Sequence, residues 1–411
     1  MNVFFHTFGC RANQYDTELV RQAFADEGAV IVSDPTDAEL AVVNSCTVTH
    51  ESETKLRRFV RGLARQPGIE TVVMGCAAAL DDGTIGALPR VRAVVAGAEP
   101  GAVLAAAGLG IGSGRRPEPV LRRFGAHARA WLKIQDGCDE HCTFCATTIA
   151  RGANRSRPVP EIVTEARALA RHHAELVLTG VHIGTYGKDS AQHAVRGSTG
   201  GLADLVEALI AAVPEVRLRL SSIEATEVDD RLARLMIEAP RNLAPHLHAP
   251  LQSGSNPVLK RMGRHWYTAE SYRARIEWLA ERLPVFGLGA DIITGFPGET
   301  DADHRATVEL VEGLPFTYLH VFPYSPRPDA AARRLGEDIP PGLRDERAAE
   351  LRALGEAKAT AHRALRTSAS ADGVASGRQS GCLEALTEDY LSVHVPADSW
   401  DGRPRFPVTI A

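Results

Sequence analysis

The sequence of 411 residues has few lysines and lacks any long hydrophobic run. Only five of its 46 basic residues are lysines, and the formal net charge is −5, which excludes the overall basicity of a non-specific DNA-binding protein. The first residues carry no cationic segment and do not resemble a secretory signal. The longest uncharged apolar stretch, residues 100–114, is too short and too rich in glycine to span a bilayer. We therefore expect a cytoplasmic protein without membrane association.

The composition and the cysteines indicate a folded intracellular protein that binds metal. Hydrophobic residues make up 44% and charged residues 24% of a chain long enough for two or three domains. The seven cysteines are an odd number, and three of them lie within residues 138–145. This crowding favours metal ligation in a reducing compartment over a disulfide framework.

Strand-like and helix-like segments alternate along the first hundred residues. This alternation predicts a parallel α/β sheet. A stretch rich in glycine, proline and charge at residues 112–119 predicts a linker. The five predicted strands are Val3–Phe5, Ala29–Val32, Leu40–Val43, Thr71–Met74 and Val91–Val95. The predicted helices between them include Asp16–Glu27 and Glu53–Arg65.

A second series of six strands predicts a (β/α)6 partial barrel, because helix-forming segments separate the strands. A helix to about Arg366 and a small antiparallel β tail follow. The expected domains are residues 1–112, the barrel at 124–345, a helical linker at 346–367 and the tail at 368–411. The six barrel strands are Trp131–Gln135, Leu176–Thr179, Val216–Ser221, Leu247–Leu251, Leu288–Thr294 and Tyr318–Tyr324, and the two tail strands are Cys382–Leu386 and Tyr390–Val395.

Cys138, Cys142 and Cys145 directly follow the first barrel strand. Three thiolates on one short loop can hold three irons of a [4Fe–4S] cluster and leave the fourth iron open to a substrate. A zinc site, which normally closes with four ligands, is the alternative, with His141 as the fourth ligand. The position at the carboxyl end of a barrel strand favours the catalytic cluster.

The motif Cys-x3-Cys-x-Phe-Cys, with Phe144 in the aromatic place, resembles the signature of the radical S-adenosylmethionine (SAM) superfamily. The resemblance implies that the open iron chelates the amino and carboxylate groups of SAM. It also implies that one-electron reduction cleaves SAM to methionine and a 5′-deoxyadenosyl radical. A one-electron donor such as flavodoxin or ferredoxin is then an expected partner.

Cys10, Cys46 and Cys76 each lie just beyond the carboxyl end of a predicted strand. Loops that leave those ends of a parallel sheet share one edge, so the three thiols can converge on a second cluster with an open iron. The alternative is that they are ordinary buried small hydrophobic residues.

Both cysteine sets together resemble the radical SAM methylthiotransferases, which attach a CH3–S group to an unactivated carbon. The resemblance covers nearly the whole chain and implies two [4Fe–4S] clusters, SAM and a tRNA partner. It implies SAM contacts by Thr179 and Gly180, and by Ser222 or Glu224 with the ribose or the amine. The blocks that carry it are Val177–Gly187, Leu218–Glu224, His246–Ser255 and Asp291–Thr300.

Within that family, residues 7–16 and 320–327 most resemble the members that modify C2 of N6-threonylcarbamoyladenosine beside the tRNA anticodon. The alternatives are the members that modify isopentenyladenosine in tRNA and those that modify an aspartate of a ribosomal protein. A zinc and RNA-binding protein without catalytic activity is the alternative from another class. We expect a monomer.

Arg151, Arg155 and Arg157 follow the cysteine loop and are candidates for contacts with tRNA phosphates. The alternatives are a solvated loop, or one arginine paired with the SAM carboxylate. The tail resembles the start of a small, TRAM-like RNA-binding β-barrel, although it is short. From Ser368 onward it has three arginines, no lysine and six acidic residues, which disfavours phosphate binding by the tail.

Overall fold

The computed structural model describes residues 1–47, 50–110, 120–189, 200–326, 330–379 and 381–411. The chain forms two compact units. The first contains Met1–Gly125, Asp136–Glu140 and Cys145–Arg155, and the second contains Ala126–Gln135, His141–Phe144 and Ser156–Ala411. The predicted linker at residues 112–119 lies outside the described residues, as does residue 327 of the block at 320–327.

A five-stranded parallel sheet organises the first unit, with strand order β2-β1-β3-β4-β5. The prediction of a parallel α/β domain is confirmed. Every residue of the central strand β3 is buried, because apolar side chains cover the sheet on both faces. Its strands are β1 (Asn2–Thr7), β2 (Val30–Val32), β3 (Leu40–Ser45), β4 (Glu70–Gly75) and β5 (Val91–Ala96). Its helices are α1 (Arg11–Asp26), α2 (His50–Leu63), α3 (Cys76–Ala79), α4 (Pro100–Ala106) and α5 (Thr147–Arg151).

Six parallel strands of the second unit form the predicted partial barrel. They lie in two three-stranded sheets, β6-β9-β10 and β11-β12-β13, and single parallel bridges at Leu218–Leu243 and Ser222–His248 join the two sheets. Within the described residues no pairing joins β6 to β13, so the barrel is open there. The six barrel strands are β6 (Arg129–Lys133), β9 (Glu175–Thr179), β10 (Arg217–Leu220), β11 (His246–His248), β12 (Gly287–Thr294) and β13 (Tyr318–Pro323). Two short strands, β7 (Gln135–Asp136) and β8 (Arg155–Ser156), pair with each other in a separate sheet.

Helices follow the barrel strands and pack on their outer faces. Several begin at side-chain caps, as at Asp229, Thr268 and Thr300, each of which accepts a hydrogen bond from a backbone N–H of the first turn. The helices are α6 (Val159–Ala170), α7 (Leu202–Ala212), α8 (Asp230–Glu238), α9 (Asn256–Arg261), α10 (Ala269–Ala280), α11 (Asp301–Gly313) and α12 (Pro341–Arg366). Of the described helices, none is both long and apolar enough to cross a membrane.

The tail is a four-stranded antiparallel sheet with strand order β16-β15-β14-β17. The sequence predicts two of its strands and misses β14 and β17. Strand β14 reads Ser-Ala-Asp-Gly-Val-Ala-Ser-Gly-Arg-Gln, which has low strand propensity and is strand only because neighbours on both sides pair with it. The strands are β14 (Ser370–Gln379), β15 (Cys382–Leu386), β16 (Ser392–Pro396) and β17 (Arg405–Thr409).

The turn between β15 and β16 covers the end of the barrel where the strands begin. Tyr390 in this turn stacks on His246 and Tyr318, the first residues of β11 and β13, with ring centroids 4.4 and 5.3 Å apart. Arg217 and Arg219 of β10 donate hydrogen bonds to backbone carbonyls of the tail. The carboxyl ends of the strands are therefore the end available for a site.

A buried carboxylate holds these two arginines in place. Glu175, the first residue of β9, pairs with Arg129, Arg217 and Arg219 at 2.7 to 2.9 Å. Burial alone would raise the pKa of Glu175, but the three guanidiniums hold it well below its ordinary value. The tail is thus joined to the barrel through a charged core that stays ionised.

Candidate functional site

The cysteines of the first unit lie at one edge of its sheet. Cys10 is the N-cap of α1, three residues after β1, while Cys46 and Cys76 directly follow β3 and β4. Strands β1, β3 and β4 are neighbours in the sheet and run parallel, so their carboxyl ends share this edge. None of the seven cysteines forms a disulfide.

Asn13 stands between two of these thiols. Its Oδ1 lies 3.7 Å from the Sγ atoms of both Cys10 and Cys76. Its amide nitrogen donates to the backbone carbonyls of Phe8 and Ser45 at 2.9 Å each, which fixes the orientation of the side chain. The two thiols are therefore held around one fixed amide oxygen.

The third thiol is brought close by a glycine. Gly9 has φ +108°, and a Cβ added there would lie 2.9 Å from Cys46 Sγ and 2.8 Å from Cys46 Cβ. Only glycine allows the loop before Cys10 to approach Cys46 so closely. The three thiols with no disulfide among them, gathered at one edge, fit the donor set of an iron–sulfur cluster.

Arg151, at the end of α5, reaches the same thiols. Its Nε lies 3.2 Å from Cys76 Sγ, and its Nη2 lies 2.6 Å from Asn13 Oδ1. Asp16 and Asp136 each accept from the guanidinium at 2.9 Å, and only 9% of the side chain is exposed. Burial raises the pKa of the Cys76 thiol to about 11, and the Arg151 guanidinium opposes that rise.

The first part of the Cys138–Cys145 loop is fixed by backbone geometry. Gly137 has φ +73°, and a Cβ there would overlap the carbonyl oxygen of Ala153. The Cys138 N–H donates to the carbonyl of Gly152 at 3.0 Å. Cys145 Sγ lies 3.0 Å from the hydroxyl of Thr147 at the start of α5. A glycine is thus required immediately before the first cysteine of the motif.

The central part of the loop is held within the second unit. The N–H and the hydroxyl of Thr143 donate to the carbonyls of Met262 and Arg261 at 2.9 Å each. Phe144 packs edge-on against Phe296, with ring centroids 6.4 Å apart. The aromatic residue of the motif therefore anchors the loop in the apolar core beneath it.

Cys142 lies beside a buried ion pair. Its Sγ is 3.5 Å from Nη1 of Arg264, whose Nη2 pairs with Glu224. Burial raises the pKa of Glu224, although the Arg264 guanidinium acts against it. The second carboxylate oxygen of Glu224 is buried and has no hydrogen-bond partner among the described residues. A buried acceptor without a partner fits an ammonium or hydroxyl donor supplied by a bound cofactor such as SAM.

The turn after β9 carries two more of the predicted cofactor residues. Thr179 is buried, and its carbonyl accepts from the N–H of Ile134 at 2.8 Å. A Cβ at Gly180 would lie 2.7 Å from Oε1 of Gln135, an oxygen that accepts the next two backbone N–H groups of the turn at 2.9 Å. Ser222, by contrast, is exposed and lies beside His248 through a backbone bridge.

The three arginines proposed for phosphate contacts have different environments. Arg157 pairs with the buried carboxylate of Glu165 at 2.9 Å, and Arg151 is engaged as described above. Arg155 is exposed and donates only to the backbone carbonyls of Ala153 and Arg151. Their role with tRNA stays a prediction, and Arg155 is the one whose guanidinium has no carboxylate partner in its hydrogen bonds.

Other residues of these sites were not singled out from the sequence. Asn13 and Asp16 lie three and six residues after Cys10 on α1, a helical spacing that places them near one another. His248, Asp291 and His320 form a further cluster on β11, β12 and β13, with ligand atoms within 4.8 Å of one another. The imidazoles of both histidines hold the pKa of Asp291 far below its ordinary value, although burial opposes this effect.

Comparisons with known proteins agree with this architecture. Residues 2–97 match the family described as uncharacterized protein family UPF0004, and residues 132–311 match the radical SAM superfamily. A solved radical SAM methyltransferase, TsrM from Kitasatospora setae, shares the fold with a TM-score of 0.57 at 15% identity, over 78% of this chain and 74% of that one.

Two curated relatives are similar over most of their length. The threonylcarbamoyladenosine tRNA methylthiotransferase MtaB of Thermotoga maritima is 37% identical, over 83% of this chain and 79% of that protein. A tRNA-2-methylthio-N(6)-dimethylallyladenosine synthase of Acidithiobacillus ferrooxidans is 33% identical, over 85% of this chain and 80% of that protein.

The partial barrel and the superfamily match define this protein as a radical SAM enzyme, a class that uses SAM and a [4Fe–4S] cluster. The relatives at 33–37% identity also show the particular family within this class. The chain belongs to the radical SAM methylthiotransferases.

Proposed function

We propose that this enzyme adds a methylthio group to C2 of N6-threonylcarbamoyladenosine beside the anticodon of tRNA, using two [4Fe–4S] clusters. The observation that carries the proposal is the gathering of three thiols at one edge of the first sheet, Cys10 and Cys76 around Asn13 and Cys46 against Gly9, in addition to the loop of Cys138, Cys142 and Cys145. A radical SAM enzyme needs only the second set for SAM cleavage, so the first set is available to hold the sulfur that is transferred.

The residues of this chain have separate tasks in the proposal. Cys138, Cys142 and Cys145 hold the cluster that supplies the electron for SAM cleavage. Glu224 accepts a hydrogen bond from the amine or ribose of SAM, and Arg264 pairs with Glu224 and opposes the rise of its pKa that burial causes. Thr179 and Gly180 shape the turn for the amino group, and Ser222 and Phe144 complete the pocket. Cys10, Cys46 and Cys76 hold the auxiliary cluster.

The choice of substrate rests on the sequence blocks and on the relatives. The relative of higher identity acts on threonylcarbamoyladenosine, while a relative at 33% acts on dimethylallyladenosine. We therefore favour threonylcarbamoyladenosine over the isopentenyl nucleoside and over the ribosomal-protein aspartate. The proposed enzyme is a cytoplasmic monomer that receives electrons from flavodoxin or ferredoxin. Its proposed domains are residues 1–112, 124–345 and 368–411, joined by the helix at 346–367.

Metal analysis and nucleoside analysis test this proposal together. Anaerobically reconstituted protein is expected to bind about eight irons with acid-labile sulfide, as two clusters require. Zinc without a brown chromophore would instead favour the RNA-binding alternative. The tRNA of a deletion strain is expected to lack the 2-methylthio form of threonylcarbamoyladenosine only. Loss of the isopentenyl derivative, or of neither nucleoside, would reject the proposed substrate.

Replacing Glu224 by glutamine is expected to weaken SAM binding about 5- to 13-fold. The reason is that a hydrogen bond to a charged group contributes about 1–1.5 kcal/mol more than one to the neutral acceptor that glutamine offers. The measurement is equilibrium dialysis of SAM against reconstituted protein. Glu238→Gln, an exposed carboxylate at the end of α8, is the control and should bind as the unaltered protein does. Unchanged SAM affinity in Glu224→Gln with full iron content would contradict the assignment.

Replacing Arg155 by alanine is expected to lower the salt dependence of tRNA binding by about one unit of slope, because one phosphate contact is lost. The measurement is tRNA affinity across a salt series, with SAM cleavage as the check on folding. Arg403→Ala is the matched control in the tail, where Arg403 already pairs with Asp401. If Arg403→Ala lowers the slope and Arg155→Ala does not, the phosphate contacts lie in the tail.

A further inference from the structure

Arg151, which the sequence predicts to contact phosphate, is buried at the end of α5. Its guanidinium is almost entirely buried and directs one N–H at Cys76 Sγ, 3.2 Å away. Helix α5, which carries Arg151, begins two residues after Cys145 and packs against α3, which begins with Cys76. One short helix therefore connects a ligand of the SAM cluster to a ligand of the proposed auxiliary cluster.

Two carboxylates fix the guanidinium in this orientation. Asp16 accepts from Nη2 and Asp136 accepts from Nη1, both at 2.9 Å, and Asn13 Oδ1 accepts from Nη2 at 2.6 Å. All hydrogen bonds in this group need the planar, five-donor geometry of arginine, which lysine cannot reproduce. Because these bonds fix the guanidinium, its positive charge stays next to the Cys76 sulfur.

We propose that Arg151 is a positioning residue for the auxiliary cluster: it orients Cys76 and, through its hydrogen bond and charge, raises the reduction potential of the cluster. The proposal rests on the two-cluster function above. Reduction adds a negative charge to a cluster, and a nearby cation with a hydrogen bond to a ligand sulfur stabilises that reduced state. Removing the cation leaves the carboxylates of Asp16 and Asp136, whose negative charges disfavour the reduced state of the cluster.

The test uses the full-length chain with Cys142→Ala, so that the auxiliary cluster is the iron–sulfur centre observed. Arg151→Gln in this background is expected to lower the reduced-to-oxidised ratio at a fixed potential at least about tenfold, which corresponds to about 59 mV for one electron. The readouts are a redox titration followed by electron paramagnetic resonance, the iron content and the thermal unfolding midpoint. Arg151→Lys, which keeps the charge, is expected to recover part of the shift.

Arg155→Gln is the matched control, because Arg155 is exposed and bonds only to backbone carbonyls. The auxiliary cluster of this control should have the same reduction potential as that of the Cys142→Ala background. Since Arg151→Gln removes the cation that pairs with Asp16 and Asp136 and can fail to fold, Arg151→Gln with Asp16→Asn restores the charge balance and serves as the second variant. A folded variant that takes up no auxiliary iron also supports the proposal, because Cys76 is then not presented to the cluster.

A cluster that titrates at the unaltered potential in folded Arg151→Gln, or in folded Arg151→Gln with Asp16→Asn, would overturn the inference. If the Cys142→Ala background itself takes up no cluster, the two-cluster function fails instead. The iron content of the background therefore separates the two failures.

Discussion

Replacing Cys142 by alanine is expected to abolish SAM cleavage and to reduce the bound iron from about eight to about four per chain. Cys142 is one of only three thiolates on its loop, so two ligands would remain for a cluster that needs three from the protein. Its environment is also built for an anionic sulfur, since Arg264 lies 3.5 Å from Sγ. The measurement is 5′-deoxyadenosine formed with a chemical reductant, alongside iron and sulfide analysis.

Cys382→Ala is the control for this experiment. Cys382 begins strand β15 of the tail and belongs to neither cysteine set, so its replacement should leave both the iron content and SAM cleavage unchanged. A Cys142→Ala protein that still forms 5′-deoxyadenosine at the unaltered rate would show that the loop does not hold the catalytic cluster.

Replacing Cys46 by alanine is expected to leave SAM cleavage intact and to stop methylthio transfer completely. Cys46 is buried against Gly9, and alanine keeps most of its apolar contacts, so the unit should still fold. Without the third thiolate the auxiliary cluster has no complete donor set, and the methyl acceptor sulfur is lost with it. The product to measure is the 2-methylthio nucleoside in digested tRNA. S-adenosylhomocysteine is measured with it, because in the proposed reaction a second SAM donates its methyl group to the sulfur held at the auxiliary cluster.

Three products distinguish the possible results of Cys46→Ala. We expect 5′-deoxyadenosine to persist while both S-adenosylhomocysteine and the methylthio nucleoside disappear. Continued methylthiolation by anaerobically reconstituted Cys46→Ala would show that the auxiliary site lies elsewhere. Loss of SAM cleavage as well would show that the two cysteine sets are not independent.

Together, Cys142→Ala and Cys46→Ala form a complementary pair. Each removes one thiolate from one set and leaves the other set unaltered, and the two sets lie on separate sheets of the fold in the sequence prediction. Cys382→Ala measures the effect of losing a cysteine as such. Both variants are expected to lose methylthio transfer, but only Cys142→Ala should lose SAM cleavage. Loss of SAM cleavage in both variants would contradict the division of labour on which the proposed function rests.

The two cysteine sets, the parallel α/β class and the order of the six barrel strands were all predicted from local sequence patterns. These features depend on short-range patterns: residue spacing within one loop, and apolar runs that end at turn residues. All five strands of the first sheet and all six of the barrel lie where the pattern predicts them, with ends that differ by a few residues. In the tail, β14 escaped prediction because its residues have little strand propensity of their own.

The partners of the charged residues could be read only from the three-dimensional structure. Arg151 was expected among phosphate contacts. In the structure it donates hydrogen bonds to Cys76 and to Asp16, which lies 135 residues earlier in the chain. Glu224 was predicted from the sequence to contact the cofactor, but its partner Arg264 carries no local signal. Burying a charge requires an opposite charge in space, and the chain satisfies that requirement between residues far apart in sequence. Spacing within a motif can therefore locate ligands, while the packing of distant segments determines what surrounds them.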